Sequence, residues 1–396
     1  MKITFGSVKT LVTLAGFSLL YCALTACHSD KPTQLGISQP SSPAASPTAT
    51  ELPATIAPLS NRFNRVLVGT IDGKHAIQMD LGRNDESLFG RYFYAKSADR
   101  KYLDLSGQID ASGKAELTEM SGDKETGFFT GKLVNEVRGE TSTLKFTGTW
   151  AKAKGAQEMT VTLTEKVFDL GGPKLTTKEQ KEENKKQKLS IEVAYPQLTG
   201  PQLAGSSDAN AEKFNTTISE MIAKQVKGFK NDNKESLKEA AESADADRPG
   251  NSLDISYTVA HADKNLISLH FSNYSYTGGA HGNTASVTYN YDLNRGVMLK
   301  LADLFPPNSN YLKIISDYCL AALKKRDLGD DEQIRGGAGP KADNYGSWNI
   351  TPDGLQITFD AYQVAAYAAG PQEVVVPYSV LKPIIKPDGP LAAFVK

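Results

Sequence analysis

Between residues 62 and 168 the chain is a succession of short alternating runs, and that punctuated rhythm limits the fold more than any other feature. The runs are Val66–Ile71, Ala76–Leu81, Leu88–Tyr94, Leu103–Ile109, Ala115–Glu119, Gly127–Leu133, Leu144–Trp150 and Met159–Leu163. Eight candidate strands, joined by turn pairs such as Asp72-Gly73 and Ser112-Gly113, are the pattern of an antiparallel barrel or sandwich. Glycines inside the runs, at Gly90, Gly107, Gly131 and Gly148, suit the bends of a small curled sheet. Residues 61–168 are therefore expected to form an all-β domain.

The amino end carries an address. Lys2 and Lys9 form a positive segment ahead of an apolar run, Thr10–Leu24, that is too short for an ordinary membrane span, and the two together have the layout of a secretory signal. It closes on Leu24-Thr25-Ala26-Cys27, which resembles the lipobox of bacterial lipoproteins. That resemblance implies a signal peptide over 1–26, lipidation at Cys27 and a membrane partner reached through the lipid. His28 after the cysteine points by the same resemblance to the outer membrane, with the protein facing the periplasm. Residues 27–60, rich in Pro, Ser, Thr and Ala, cannot bury enough apolar surface to order themselves and read as a tether. The net charge of −1 over 396 residues gives no basic field for a nucleic-acid partner.

Residues 169–189 are a Gly-Pro break followed by a dense charge run, expected to be a solvated linker or an exposed helix. Beyond it, residues 190–396 mix element types. Ala211, Phe214, Ile218, Met221, Ile222, Gln225 and Phe229 recur at helical spacing, whereas 253–259, 266–276, 285–293, 355–359 and 373–377 alternate as strands. The expected second domain is α+β, with helices packed on an antiparallel sheet. Its cysteine, Cys319, falls on the apolar face of a helix over 310–324 and reads as a small core residue.

Four ordered motifs in this half, Tyr276-Thr-Gly-Gly-Ala-His-Gly-Asn-Thr284, Leu299–Phe305, Ile350–Gly370 and Val374–Tyr378, resemble one family. It is the extracytoplasmic domain of RsiV-type anti-sigma factors and of the non-catalytic region of PdaC-type peptidoglycan deacetylases. The resemblance spans roughly residues 190–390. It implies an envelope protein that works by binding, with a lysozyme-type muramidase or a peptidoglycan fragment as partner and no cofactor.

The residue inventory for catalysis is thin. Thr358-Phe-Asp-Ala361 resembles a deacetylase signature but holds one aspartate where that signature has two, and no His-x-x-x-His pair occurs. His261, Asp263, His270 and His281 remain as acid–base candidates. His281 has three readings: a turn-stabilising residue, part of a binding surface, or a catalytic or metal-bound group. The expected binding surface comprises Tyr274, Tyr276, His281, Tyr289, Tyr291, Tyr362 and Tyr367, because exposed aromatics bury large area at low entropic cost. Tyr289 and Tyr291 are expected to lie beside Tyr274 and Tyr276 on one sheet face. No catalytic or metal-ligating set is assigned; an envelope glycan hydrolase, a deacetylase-associated protein and a scaffold lipoprotein are the alternatives.

Overall fold

The computed structural model describes residues 53–96, 102–138, 141–170, 172–200, 208–243, 250–326 and 328–395. The expected signal peptide, Cys27 and the expected tether up to residue 52 lie outside the described residues, whereas Thr55–Ala57, also within the expected tether, form a strand.

A short strand β1 (Thr55–Ala57) precedes eight strands that follow one another in space as in sequence: β2 (Arg62–Ile71), β3 (His75–Asn84), β4 (Ser87–Tyr94), β5 (Leu103–Ile109), β6 (Lys114–Ser121), β7 (Lys124–Arg138), β8 (Thr141–Ala151) and β9 (Met159–Glu165). Each pairs antiparallel with the next, and β9 pairs back onto β2 with Gly69 opposite Leu163, so the sheet closes into a barrel. Closure removes the free edges that an open sheet of this size would expose. Period-2 alternation sends Leu67, Met79, Leu105, Leu117, Phe129, Phe146 and Leu163 inward to a filled core. Gly131 and Gly148 face each other across β7 and β8, and a Cβ on either would collide with the facing backbone. Their place is set by that close approach.

An acidic side chain enters this interior. The next inward position after Ala115 and Leu117 on β6 is Glu119, 3% exposed, which accepts hydrogen bonds from Tyr92 Oη at 2.5 Å, Thr126 Oγ1 at 2.6 Å and Trp150 Nε1 at 2.8 Å. Neutral donors thus satisfy a buried carboxylate.

The segment expected as a solvated linker is a strand. After β10 (Phe168–Asp169) comes β11 (Lys174–Asn184), which pairs over its whole length with β12 (Leu189–Thr199). Leu175 and Thr177 alternate inward, and the charges are answered across the sheet: Lys181 reaches Glu192 at 3.2 Å, and Lys230 reaches Glu182 at 2.6 Å. β11 also meets β8 at Thr177 and Ser142, which carries the barrel sheet on into the second half.

That half is α+β, with one departure from the expected all-antiparallel sheet. Helices α1 (Asp208–Asp232) and α2 (Lys234–Glu242) lie between β12 and β13 (Asn251–Ala262), and the two strands run parallel. A parallel neighbour requires such a crossover. β14 (Leu266–Tyr276) and β15 (Asn283–Asp292) complete the sheet as antiparallel neighbours, with a two-residue β16 (Val297–Met298) at its end. Phe214, Ile218 and Ile222 of α1 pack on Ile191, Leu253, Leu269 and Phe271.

A second core gathers α3 (Tyr311–Leu323), α4 (Asp331–Ala338), a three-stranded sheet of β17 (Trp348–Ile350), β18 (Gly354–Phe359) and β19 (Gln372–Pro377), and α5 (Tyr378–Leu381). Cys319 is fully buried there, and burial pushes its thiol up to about 12.

Candidate functional site

The loop between β14 and β15 is shaped by its own polar groups. Gly278 and Gly279 adopt φ of 96° and 98°, which side-chain-bearing residues rarely take, and the Tyr276 hydroxyl donates to the Gly279 carbonyl at 2.9 Å. His281 Nδ1 lies 3.0 Å from the Gly282 carbonyl. The same carbonyl accepts from the Tyr367 hydroxyl at 2.8 Å, and the His281 and Tyr367 rings stack at 4.2 Å with an interplanar angle of 22°. Tyr362 follows at 5.4 Å from Tyr367, 60% exposed. The result is a ladder of three rings, two of them exposed.

The segment that supplies Tyr362 and Tyr367 is firmly seated. Asp360 accepts from the Ser286 amide at 3.1 Å, answering a donor that faces outward from the edge strand β15. Gln363 Nε2 donates to the Gly337 and Asn344 carbonyls, and Gln333 Nε2 to the Tyr362 carbonyl at 2.7 Å. Tyr362 itself is held at φ 70°, a left-handed conformation that costs a ring-bearing residue roughly 1–3 kcal/mol.

Of the seven expected surface residues, Tyr276, His281, Tyr362 and Tyr367 belong to this loop and the segment docked on it. Tyr274 shares the sheet face but is half-buried: the Arg62 guanidinium sits 3.5 Å over its ring, and Gly282 abuts the phenol end of the ring. Tyr289 and Tyr291 are corrected. The register places them opposite Leu269 and Ile267, so they share the core face rather than the face of Tyr274. Tyr291 is 2% exposed and packs edge-on against Phe214, and Tyr289 packs against Phe271. The six-residue turn pairs Tyr274 with Thr284, and that phase decides every side chain after it.

The acid–base candidates have local roles. His261 Nε2 lies 3.1 Å from Asp263 Oδ2 and its ring meets Phe394 edge-on. Burial raises the Asp263 carboxyl, but the His261 contact and the Asn265 and Leu266 amides outweigh it and hold the group below its ordinary value. His270 stands between Thr258 and Thr288 on neighbouring strands. Among the described residues no group of three or more His, Cys, Asp or Glu side chains is placed to share a metal ion.

One neighbouring feature was not anticipated. Register sets Ser190, Ser252 and Tyr276 in one row across β12, β13 and β14, and Glu192, Asp254 and Tyr274 in the next. The first row floors a cavity of about 320 Å³ walled by Lys185 and Lys188 of the β11–β12 turn. In the second row, Arg62 bonds Asp254 at 3.4 Å and Asp85 at 3.1 Å. Burial pushes the Asp254 carboxyl up to about 6, against the pull of Arg62. The lysines were visible in sequence, but the hydroxyl floor depends on three strand registers that no local pattern encodes.

Two family matches divide this half of the chain. Residues 182–284 match the family described as deacetylase PdaC, and residues 302–379 match a protein family of unknown function, DUF3298. A curated relative, the peptidoglycan-N-acetylmuramic acid deacetylase PdaC of Bacillus subtilis strain 168, is 32% identical over 177 residues. The match covers 44% of this chain, and the chain spans only 37% of that relative's length. Among solved structures, a DUF3298 member from Bacteroides fragilis is 19% identical and aligns over 58% of this chain and 99% of its own, at a TM-score of 0.43. Another from Pseudomonas aeruginosa PAO1, also 19% identical, aligns over 55% and 97% at 0.39. The barrel up to β9 lies outside both family matches, and the ladder joins them, since His281 belongs to the first and Tyr362 and Tyr367 to the second. Residues 182–284 are thus similar to the PdaC family and residues 302–379 to the DUF3298 family.

Proposed function

We propose that this chain is a cell-envelope protein that binds peptidoglycan glycan on the ladder of His281, Tyr367 and Tyr362. The carrying observation is that two segments 85 residues apart are tied together by the Tyr367 bond to Gly282, and the tie presents exposed rings. Flat aromatic faces suit the apolar faces of sugar rings, and rigid rings give up little entropy on contact. The named activity of the PdaC relative supports the choice of polymer. Anchoring through lipidated Cys27, at the outer membrane and facing the periplasm, belongs to the same proposal and rests on the lipobox resemblance.

The test is co-sedimentation of the full chain with purified peptidoglycan sacculi, followed by titration with muropeptides. Tyr362→Ala is expected to weaken binding about tenfold, or about 1.4 kcal/mol. Absence of binding by the wild-type chain would remove the proposal.

A second reading has the same rings engage a lysozyme-type muramidase, because a side chain as exposed as Tyr362 is also a common protein-interface anchor. Calorimetry with hen lysozyme separates the two: strong binding to the enzyme and none to sacculi favours the second.

A further inference from the structure

We propose that the cavity where the barrel meets the second half takes one neutral sugar ring, at a site that shares no residue with the ladder and does not rest on it. The cavity arises from a gap in strand pairing. β2 pairs with β9 only from Leu67 onward, and β13 pairs with β12 only as far as Ile255. Residues 62–66 and 256–259 therefore lie side by side with side chains rather than a backbone ladder between them: Asn64 Nδ2 donates to Ser256 Oγ at 3.2 Å, and the Arg65 guanidinium stands 5.6 Å from the centre of the Tyr257 ring. Beyond those bridges the seam opens into a cavity of about 170 Å³.

The lining sets the class of ligand. Val66, Val167, Phe168 and Val259 supply apolar surface, and Thr143 of β8 and Thr258 of β13 supply hydroxyls. Four charged side chains also reach the cavity, and none offers it an uncommitted buried charge. Arg65 bonds Glu165 at 3.1 Å, Lys166 donates to Gln78 Oε1 at 3.2 Å, and Lys174 is exposed, where water and salt screen it. Thr177 donates to Glu165 at 3.2 Å and lies 2.8 Å from Tyr257 Oη, a network in which the Thr143 and Thr258 hydroxyls take no part. An engineered apolar cavity of about 150 Å³ accepts benzene, so this one is the size for a single six-membered ring. A bare hydrocarbon ring would strip water from both threonine hydroxyls and return no hydrogen bond. A pyranose answers both halves of the lining, with an apolar face for Phe168 and the valines and edge hydroxyls for the threonines.

The full chain is titrated with glucose, with glucuronate and with cyclohexanol, and Kd is read by ligand-observed NMR. Glucose should bind with a millimolar Kd, more tightly than either of the others. Thr258→Phe puts a benzene ring where the sugar ring would lie, and should weaken glucose binding about tenfold or more. Its Tm and its sacculus binding should stay at the wild-type values, since aromatic residues suit strand positions. If that variant does not fold, Thr143→Leu fills the same space from β8 and carries the same expectation. No glucose binding by the wild-type chain, or an unchanged Kd in a folded, filled variant, would overturn the site. Tighter binding of glucuronate would mark an anion site and tighter binding of cyclohexanol an apolar one, and either result overturns the neutral-sugar assignment. Loss of glucose binding in Tyr362→Ala would put the sugar on the ladder and overturn the cavity as well.

Discussion

Tyr362 combines two properties that usually exclude each other, a left-handed backbone and an exposed ring. Tyr362→Gly relieves the backbone cost and should raise stability by about 0.5–1 kcal/mol, after the greater unfolded-state freedom of glycine is counted. It should weaken sacculus binding at the same time. Thermal unfolding of the variant decides this, and a lower Tm would show that the conformation is not strained. Asp254 offers a pH readout. Its folded value of about 6 lies above the ordinary 3.8, so the folded state holds the proton more tightly than the unfolded chain does. The stability from that protonation is complete below the unfolded value, near pH 4, and is lost as pH rises through about 6. Asp254→Asn should therefore raise Tm by a few degrees at pH 8 and leave it unchanged near pH 4. An equal shift at both pH values would mean that the change acts through packing rather than charge.

At the level of strands and helices, the turn after β14 sorts the tyrosines. Tyr291, packed on Phe214, should cost about 3–5 kcal/mol when changed to Ala, whereas Tyr276→Ala should cost under 1.5, as measured by urea denaturation. The eight barrel strands and the helix carrying Phe214 were legible from the sequence because period 2 and period 3.6 are local signals. The β11 strand was not. Its Lys and Glu side chains point to partners on β12 and α1, and only those partners turn a charge run into a paired strand. Hydrogen exchange offers a check, since amides of 175–183 should be as protected as those of 190–198. The site was half legible: the glycine loop and the Tyr362–Tyr367 segment each stood out, but their contact spans 85 residues and register decided which tyrosines joined it.

Across the whole molecule, the barrel meets the second half at a buried charge cluster. Arg65 on β2, 6% exposed, bonds Glu165 of β9 at 3.1 Å and Glu179 of β11 at 3.4 Å, while Tyr257 of β13 bonds Thr177 of β11 at 2.8 Å. Burial raises the Glu165 carboxyl above its ordinary range, and the Arg65 guanidinium opposes that rise. Arg65→Ala strands the carboxylate and should cost about 3–5 kcal/mol, whereas Arg65→Met with Glu165→Leu should recover most of the loss. Chemical denaturation of the two variants measures the difference.

The stack of His281 on Tyr367 also orders events during synthesis. The glycine loop leaves the ribosome 85 residues before its partner ring, several seconds at ordinary elongation rates of about 5–20 residues per second. During that interval the barrel and the α1-backed sheet can complete their local pairings, but the ladder cannot exist. On the proposed function, recognition is thus withheld from a nascent or truncated chain, and a copy able to hold glycan is one whose C-terminal core has already closed.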